Sequence, residues 1–233
     1  MASFSWMTSS IGKKLFSALT GLFLCFFLVG HLAGNLPLVF GHLMGGSIGE
    51  VQTSFNEYAK FMTTFPAVKI LSYATYISIL AHAILGIFLV IKNKSARKVG
   101  YAKNSPGKSS VWASRNMGVL GVLVLGFIIL HMASFWFKMH YGDLVLVDGN
   151  KDIFTVLYTA FKQWWYVLIY VISMAAIGFH LYHGFQSGFQ TLGLNHPKYS
   201  PIIHKLGKGF AIVIPILFAI IPIYVFIFYP ELS

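Results

Sequence analysis

An all-α membrane protein with five transmembrane helices is the fold class this sequence predicts, and three observations predict it. Of the 233 residues, 57% are hydrophobic and only 10% charged, with a mean hydropathy of +0.72. Five windows reach the length of about 20 apolar residues that a bilayer core demands: Leu15–Leu38, Val68–Ile91, Met117–Phe137, Trp164–Phe189 and Phe210–Phe228. The charges between those windows then divide by sign. Lys13, Lys14, Lys92, Lys94, Arg97, Lys98, Lys103, Lys108, Arg115, Lys198, Lys205 and Lys208 fall on one side with no acid among them. Lys60, Lys69, Lys138, Lys151 and Lys162 fall on the other with all six acids: Glu50, Glu57, Asp143, Asp148, Asp152 and Glu231. By the positive-inside rule the N-terminus is cytoplasmic and the C-terminus outside. So divided, the net charge of +11 reads as membrane topology and gives no reason to expect nucleic acid. The single Cys25 lies in an apolar run, which excludes a disulfide framework and a thiolate metal site.

Each element follows in order as part of one integral membrane domain over residues 1–233, spans 1–4 forming a four-helix bundle with span 5 alongside. Ser9 and Ser10 are candidate caps for span 1, which closes near Pro37. Span 1 is too long for a cleavable signal. On the outer side, SFNEYAKFM places Phe55, Tyr58, Ala59 and Met62 at i, i+3, i+4 and i+7, a short amphipathic helix at the interface. Span 2 descends to KNKSARKVGYAKNSPGKSS, a basic connector by its Gly, Pro and Ser content. Span 3 rises to Lys138, and HYGDLVLVDGNKDIF forms a polar outer loop. Span 4 opens on Gln163-Trp164-Trp165-Tyr166, read as an aromatic belt. Span 5 carries Pro215 and Pro222, whose freed carbonyls are tolerable where neighbouring helices pack. A faint repeat joins spans 1–2 to spans 3–4: Gly21 precedes His31 by ten residues and Gly121 precedes His131 by ten.

Spans 1 to 4 each carry a histidine: His31, His82, His131 and His180. A titratable ring at membrane depth is costly, so a functional reason is the default. Depth pairs the four rings. His31 lies 17 residues past Lys14 and His131 lies 16 past Arg115, both on outward spans, hence about 25 Å from the inner boundary at 1.5 Å per residue. His82 lies ten residues before Lys92 and His180 some 13 before Gly193, on inward spans, hence about 15–20 Å from it. Two rings at each of two levels suit two haems, each iron gripped from both sides. With no carboxylate or thiol joining either pair, zinc and copper fit poorly. Gly30, Gly34, Gly86 and Gly184 flank the ligands and would give a flat macrocycle room; Gly21 and Gly121 fall at the level of the other pair. His183 is an alternative to His180 that depth does not separate.

These residues resemble the cytochrome b membrane-anchor subunit of succinate dehydrogenase or fumarate reductase, of the single-chain, five-helix, dihaem type. TGLFLCFFLVGH looks like its first-ligand segment, FNEYAKFM with Pro66 like its outer helix, and HAILG like its second-ligand motif. GFHLYHGFQSGFQTLGL resembles the fourth, in which the ligand stands four residues before one glycine and 13 before another. Here those are Gly184 and Gly193, so the resemblance selects His180 over His183.

The resemblance implies two b-type haems, His31 with His131 and His82 with His180 as axial ligands of the iron, and a quinone as substrate, typically menaquinone. It implies partners at the cytoplasmic face of a bacterial cytoplasmic membrane, an iron–sulfur subunit joined to a flavoprotein. Ser17 and Arg115 are candidate contacts for the propionates of the inner haem, Ser17 by a matching polar position and Arg115 by charge and depth. Glu50, Glu57, His42 and His140 are available near the outer haem for quinone protons. No nucleophile–base pair or phosphate loop appears, so no hydrolase or transferase activity is expected of this chain alone; the resemblance implies an electron-transfer and quinone-reactive subunit that does not itself act on succinate or fumarate. Two rivals stay open: a bis-histidine cytochrome b of a hydrogenase or formate dehydrogenase, and a proton-coupled transporter with a histidine relay.

Overall fold

The computed structural model describes residues 9–95 and 112–231, without the side chain of Lys94. The basic connector beyond Ser95, with Arg97, Lys98, Lys103 and Lys108, and the first eight residues lie outside the described residues. The protein is all-α, with five helices long and apolar enough to cross a membrane: Ser10–Leu43, Pro66–Asn93, Met117–Tyr141, Trp164–Thr191 and Ser200–Phe228. Each contains the window expected for it.

The helix boundaries have local causes. The Ser9 hydroxyl accepts from the Gly12 amide at 3.0 Å and caps α1 (Ser10–Asn35). α2 (Pro37–Leu43) restarts with proline in its first turn, where a missing N–H costs nothing. A capping box opens α3 (Ile48–Thr64): Ser47 and Glu50 each accept the other's backbone amide. Phe65 is extended because a proline follows it, which separates α3 from α4 (Pro66–Ser95). α5 is a single turn (Trp112–Arg115) ahead of α6 (Met117–His131). A π-helical turn, Met132–Trp136, then leads into α7 (Phe137–Tyr141).

The expected polar loop is more ordered than a loop. β1 (Leu146–Val147) and β2 (Asn150–Lys151) pair antiparallel across Asp148-Gly149. Both turn residues have positive φ, 51° and 74°, as the favoured two-residue hairpin turn requires. α8 (Ile153–Phe161) follows, capped by Asp152. α9 (Trp164–Thr191) ends in a Schellman turn, with Leu194 donating to the Phe189 carbonyl and Gly193 at φ +77°. α10 (Ser200–Phe228) contains both prolines.

The chain divides into two compact units. The first takes the described parts of Met1–Phe27, Thr75–Leu125 and Ala176–Val213. It holds His82 and His180, and the described bases Lys13, Lys14, Lys92, Arg115, Lys198, Lys205 and Lys208, without one acid. Close helix packing marks it: an added Cβ at Gly207 would stand 2.7 Å from the Phe185 ring, and one at Gly188 would stand 3.2 Å from Leu22.

The second unit takes Leu28–Ala74, Gly126–Ala175 and the described part of Ile214–Ser233. It holds His31, His131 and every acid. A polar network is buried among its apolar residues. Asn56 is fully buried; it donates to Asp152 at 2.9 Å and accepts from the Phe154 amide at 3.0 Å. Gln52 donates to Asp152 at 2.9 Å and to the Thr155 hydroxyl at 3.2 Å. Thus α3 is tied to the start of α8 across about a hundred residues of chain. Tyr158 donates to the Pro230 carbonyl at 2.7 Å and Lys162 to that of Phe226 at 3.2 Å, which anchors the end of α10.

Candidate functional site

In the second unit the rings of His31 and His131 lie 5.7 Å apart, centre to centre, with planes at 88°. In the first unit those of His82 and His180 lie 6.2 Å apart at 75°. These are the pairings that depth predicts. Metal–imidazole bonds of about 2 Å on opposite sides of one ion, with about 1 Å from nitrogen to ring centre, set ring centres roughly 6 Å apart. Both pairs meet that spacing. Among the described residues no three His, Cys, Asp or Glu side chains gather into a metal site, so a two-ligand arrangement is what the rings offer.

The other ring nitrogens bear on the fit. His82 Nδ1 donates to the Ser17 carbonyl at 3.0 Å, with the Thr20 hydroxyl at 3.4 Å. His131 Nδ1 and the Tyr170 hydroxyl are hydrogen-bonded at 3.0 Å. The carbonyl, which only accepts, places the proton of His82 on Nδ1 and leaves Nε2 for a metal, and the phenol engages His131 Nδ1 so that Nε2 is again the nitrogen left over. His180 Nδ1 is a buried polar atom with no hydrogen-bond partner among the described residues. His180, and not His183, makes the ring contact with His82. Axial ligation of haem iron fits these donor sets.

Packing around the rings refines the glycine reading. A Cβ on Gly21 would stand 2.8 Å from His82 Cε1, and one on Gly121 would stand 3.9 Å from His180 Cε1. Both glycines therefore lie at the level expected, but against the imidazoles themselves. Gly30 and Gly86 have no neighbour within 4 Å of a Cβ position. Gly34 is instead covered by the Tyr58 ring, whereas Gly184 has only the terminal methyl of Met117, at 3.5 Å, for a neighbour.

Ser17 and Arg115 both belong to the first unit, with His82 and His180. Ser17 is half-buried and serves His82 through its carbonyl; Arg115 is exposed at the end of α5. Of the groups available for quinone protons, Glu50 is committed to its capping box, where the Ser47 amide and hydroxyl hold its carboxyl below the usual range. Glu57 is exposed. His42 Nδ1 is bonded to the Tyr224 hydroxyl at 3.0 Å, and His140 Nδ1 donates to the Trp136 carbonyl at 2.9 Å.

Three features of the site escape the sequence reading. Tyr166, taken as part of a lipid-facing belt, is 6% exposed, whereas Trp164 and Trp165 are 66% and 48% exposed. The i, i+4, i+8 spacing of Tyr166, Tyr170 and Met174, all buried, is the signal that would have found this face. Phe218 of α10 packs on His31 at 5.6 Å, so span 5 contributes to the surroundings of that imidazole. The π turn begins directly after His131, a placement common at functional sites. No protein-family model, no curated protein and no solved structure matches the chain.

Proposed function

We propose that this chain is the dihaem cytochrome b membrane anchor of a succinate dehydrogenase or fumarate reductase complex. It carries electrons between a cytoplasmic iron–sulfur subunit, itself joined to a flavoprotein, and a membrane quinone of the menaquinone type. The observation that carries this reading is the meeting of four intramembrane imidazoles as two pairs, 5.7 and 6.2 Å between ring centres. Bis-imidazole haem, when bound, supplies reversible one-electron transfer.

The chain's own residues do the rest. His31 with His131, and His82 with His180, would hold and orient the two haems, and each pair would commit both of its imidazoles to that task. The Ser17 carbonyl holds His82 in the tautomer that leaves Nε2 free, and the Tyr170 hydroxyl engages His131 at Nδ1, so that Nε2 is the nitrogen each offers a metal. The basic set in the first unit supports a cytoplasmic assignment for that end, in a bacterial cytoplasmic membrane, and for docking of the iron–sulfur partner there.

The test is a reduced-minus-oxidised absorption spectrum with the haem content per chain, on protein purified from its own membrane. Two b-type haems per chain, with a flavoprotein and an iron–sulfur protein copurifying, is the expected result. Colourless protein refutes the haem reading. Haem with a metal-containing hydrogenase or formate dehydrogenase, in place of the flavoprotein, refutes the complex named here.

A further inference from the structure

The two ligand pairs are supported differently. On His82 the second nitrogen meets a main-chain carbonyl, that of Ser17, at 3.0 Å. On His131 it meets a side chain, the phenol of Tyr170, at 3.0 Å. A carbonyl partner is present whatever the sequence; a phenol is there only because residue 170 is tyrosine.

The phenol is also enclosed. Tyr170 is 6% exposed. Phe127 and Phe161 meet its ring edge-on at 4.9 and 5.1 Å, and Tyr166 lies tilted on it at 5.0 Å. Phe135, presented by the π turn, touches both His131 at 5.5 Å and Tyr170 at 6.4 Å. Aromatic walls on every side leave little room for water to compete, and a hydrogen bond in such surroundings acts more strongly than one in solvent.

We propose that Tyr170 is a positioning residue that sets the reduction potential of the haem held by His31 and His131, through its hydrogen bond to His131 Nδ1, independently of the haem held by His82 and His180. With iron on Nε2, the Nδ1 proton is donated to the phenol oxygen. That raises the electron donation of the imidazole, favours the ferric state and lowers the potential. The inference rests on the dihaem reading above.

The experiment is an anaerobic optical redox titration of the purified holoprotein, wild type against Tyr170→Phe. Two haem components are resolved in each. The expected result is an upward shift in one component only, its ferric-to-ferrous ratio at a fixed potential falling about tenfold, which is 59 mV for one electron. The other component stays in place. Should Tyr170→Phe fail to assemble, 3,5-difluorotyrosine at position 170 keeps the shape and weakens the acceptor; the same component then moves upward by a smaller amount. Haem retained with both potentials unchanged, or both components moved equally, overturns the role of Tyr170 while leaving the dihaem reading intact. Wild-type protein without haem fails the reading itself, and that is seen before any variant is made.

Discussion

Gly21→Ala tests how closely the ligand pair in the first unit is held. The added methyl would stand 2.8 Å from His82 Cε1 and 3.2 Å from Nδ1. Ordinary carbon–carbon contact begins at about 3.5 Å, so the ring must retreat by roughly 0.7 Å. Retreat is resisted, because Nδ1 is tied to the Ser17 carbonyl. A metal ligand tolerates about 0.5 Å of misplacement, and overpacking of this kind costs about 1–3 kcal/mol. The substitution also gains up to about 1 kcal/mol of helix propensity. That gain is common to the loaded and unloaded protein and cancels from affinity, whereas the clash acts on the ligand pose. Affinity for the haem proposed at His82 and His180 is therefore expected to fall about 5- to 150-fold. Pyridine haemochrome assay should give a haem-to-chain ratio reduced from two towards one, with one redox component lost. Gly209, on α10, has nothing within 4 Å of its Cβ position, and Gly209→Ala should keep both haems. If Gly21→Ala retained two haems at unchanged potentials, the close approach to His82 would have no bearing on ligation.

Further expectations concern span 4 and the buried polar network of the second unit. His180→Ala should remove one haem and His183→Ala neither, read from the same spectrum; the opposite pattern would transfer the ligand role to His183. Asn56→Leu strands the Phe154 amide and removes a donor to Asp152, a loss of about 2–5 kcal/mol for local opening. Amide exchange at the start of α8 should accelerate at least 30-fold, and unchanged protection would contradict the network. Burial opposes ionisation of Asp152, but hydrogen bonds from Thr155, Asn56 and Gln52 outweigh it and hold its carboxyl below 3.8. Its contribution is therefore complete above that value and is lost as pH falls through the lower folded value. The difference in thermal midpoint between wild type and Asp152→Asn should stay constant from neutral pH down to 3.8 and close below it; a difference that widens in acid would reverse the sign.

The spans and the ring pairing were legible because each follows from one-dimensional quantities. Hydropathy locates the helices, and 1.5 Å per residue along them turns sequence position into relative level. What escaped depends on contacts between distant segments. Residue Asn56 is the buried anchor of α3, and no hydrophobic stripe reveals an asparagine; of the four residues in that stripe, Tyr58 is largely exposed. Partners of Asn56 lie 96 and 98 residues away. By contrast, the Asp148-Gly149 hairpin was readable, since that dipeptide carries the positive φ its turn needs, but polarity made it look like an open loop. Nothing in MASFW announces a π turn. The turn seats Phe135 among His131, Phe161, Tyr166 and Tyr170, contacts that no local sequence pattern encodes.

Each imidazole couple joins a ring from the first half of the chain to one from the second. A ribosome must therefore translate past residue 131 before His31 has a mate, and 49 residues further before His82 has one. At about 5–20 residues per second that interval is several seconds. Both rings of the couple in the acid-bearing unit are thus synthesised before the second couple is, yet its Tyr170 and Phe218 neighbours follow on the fourth and fifth spans, so neither site has all its walls until the chain is nearly finished.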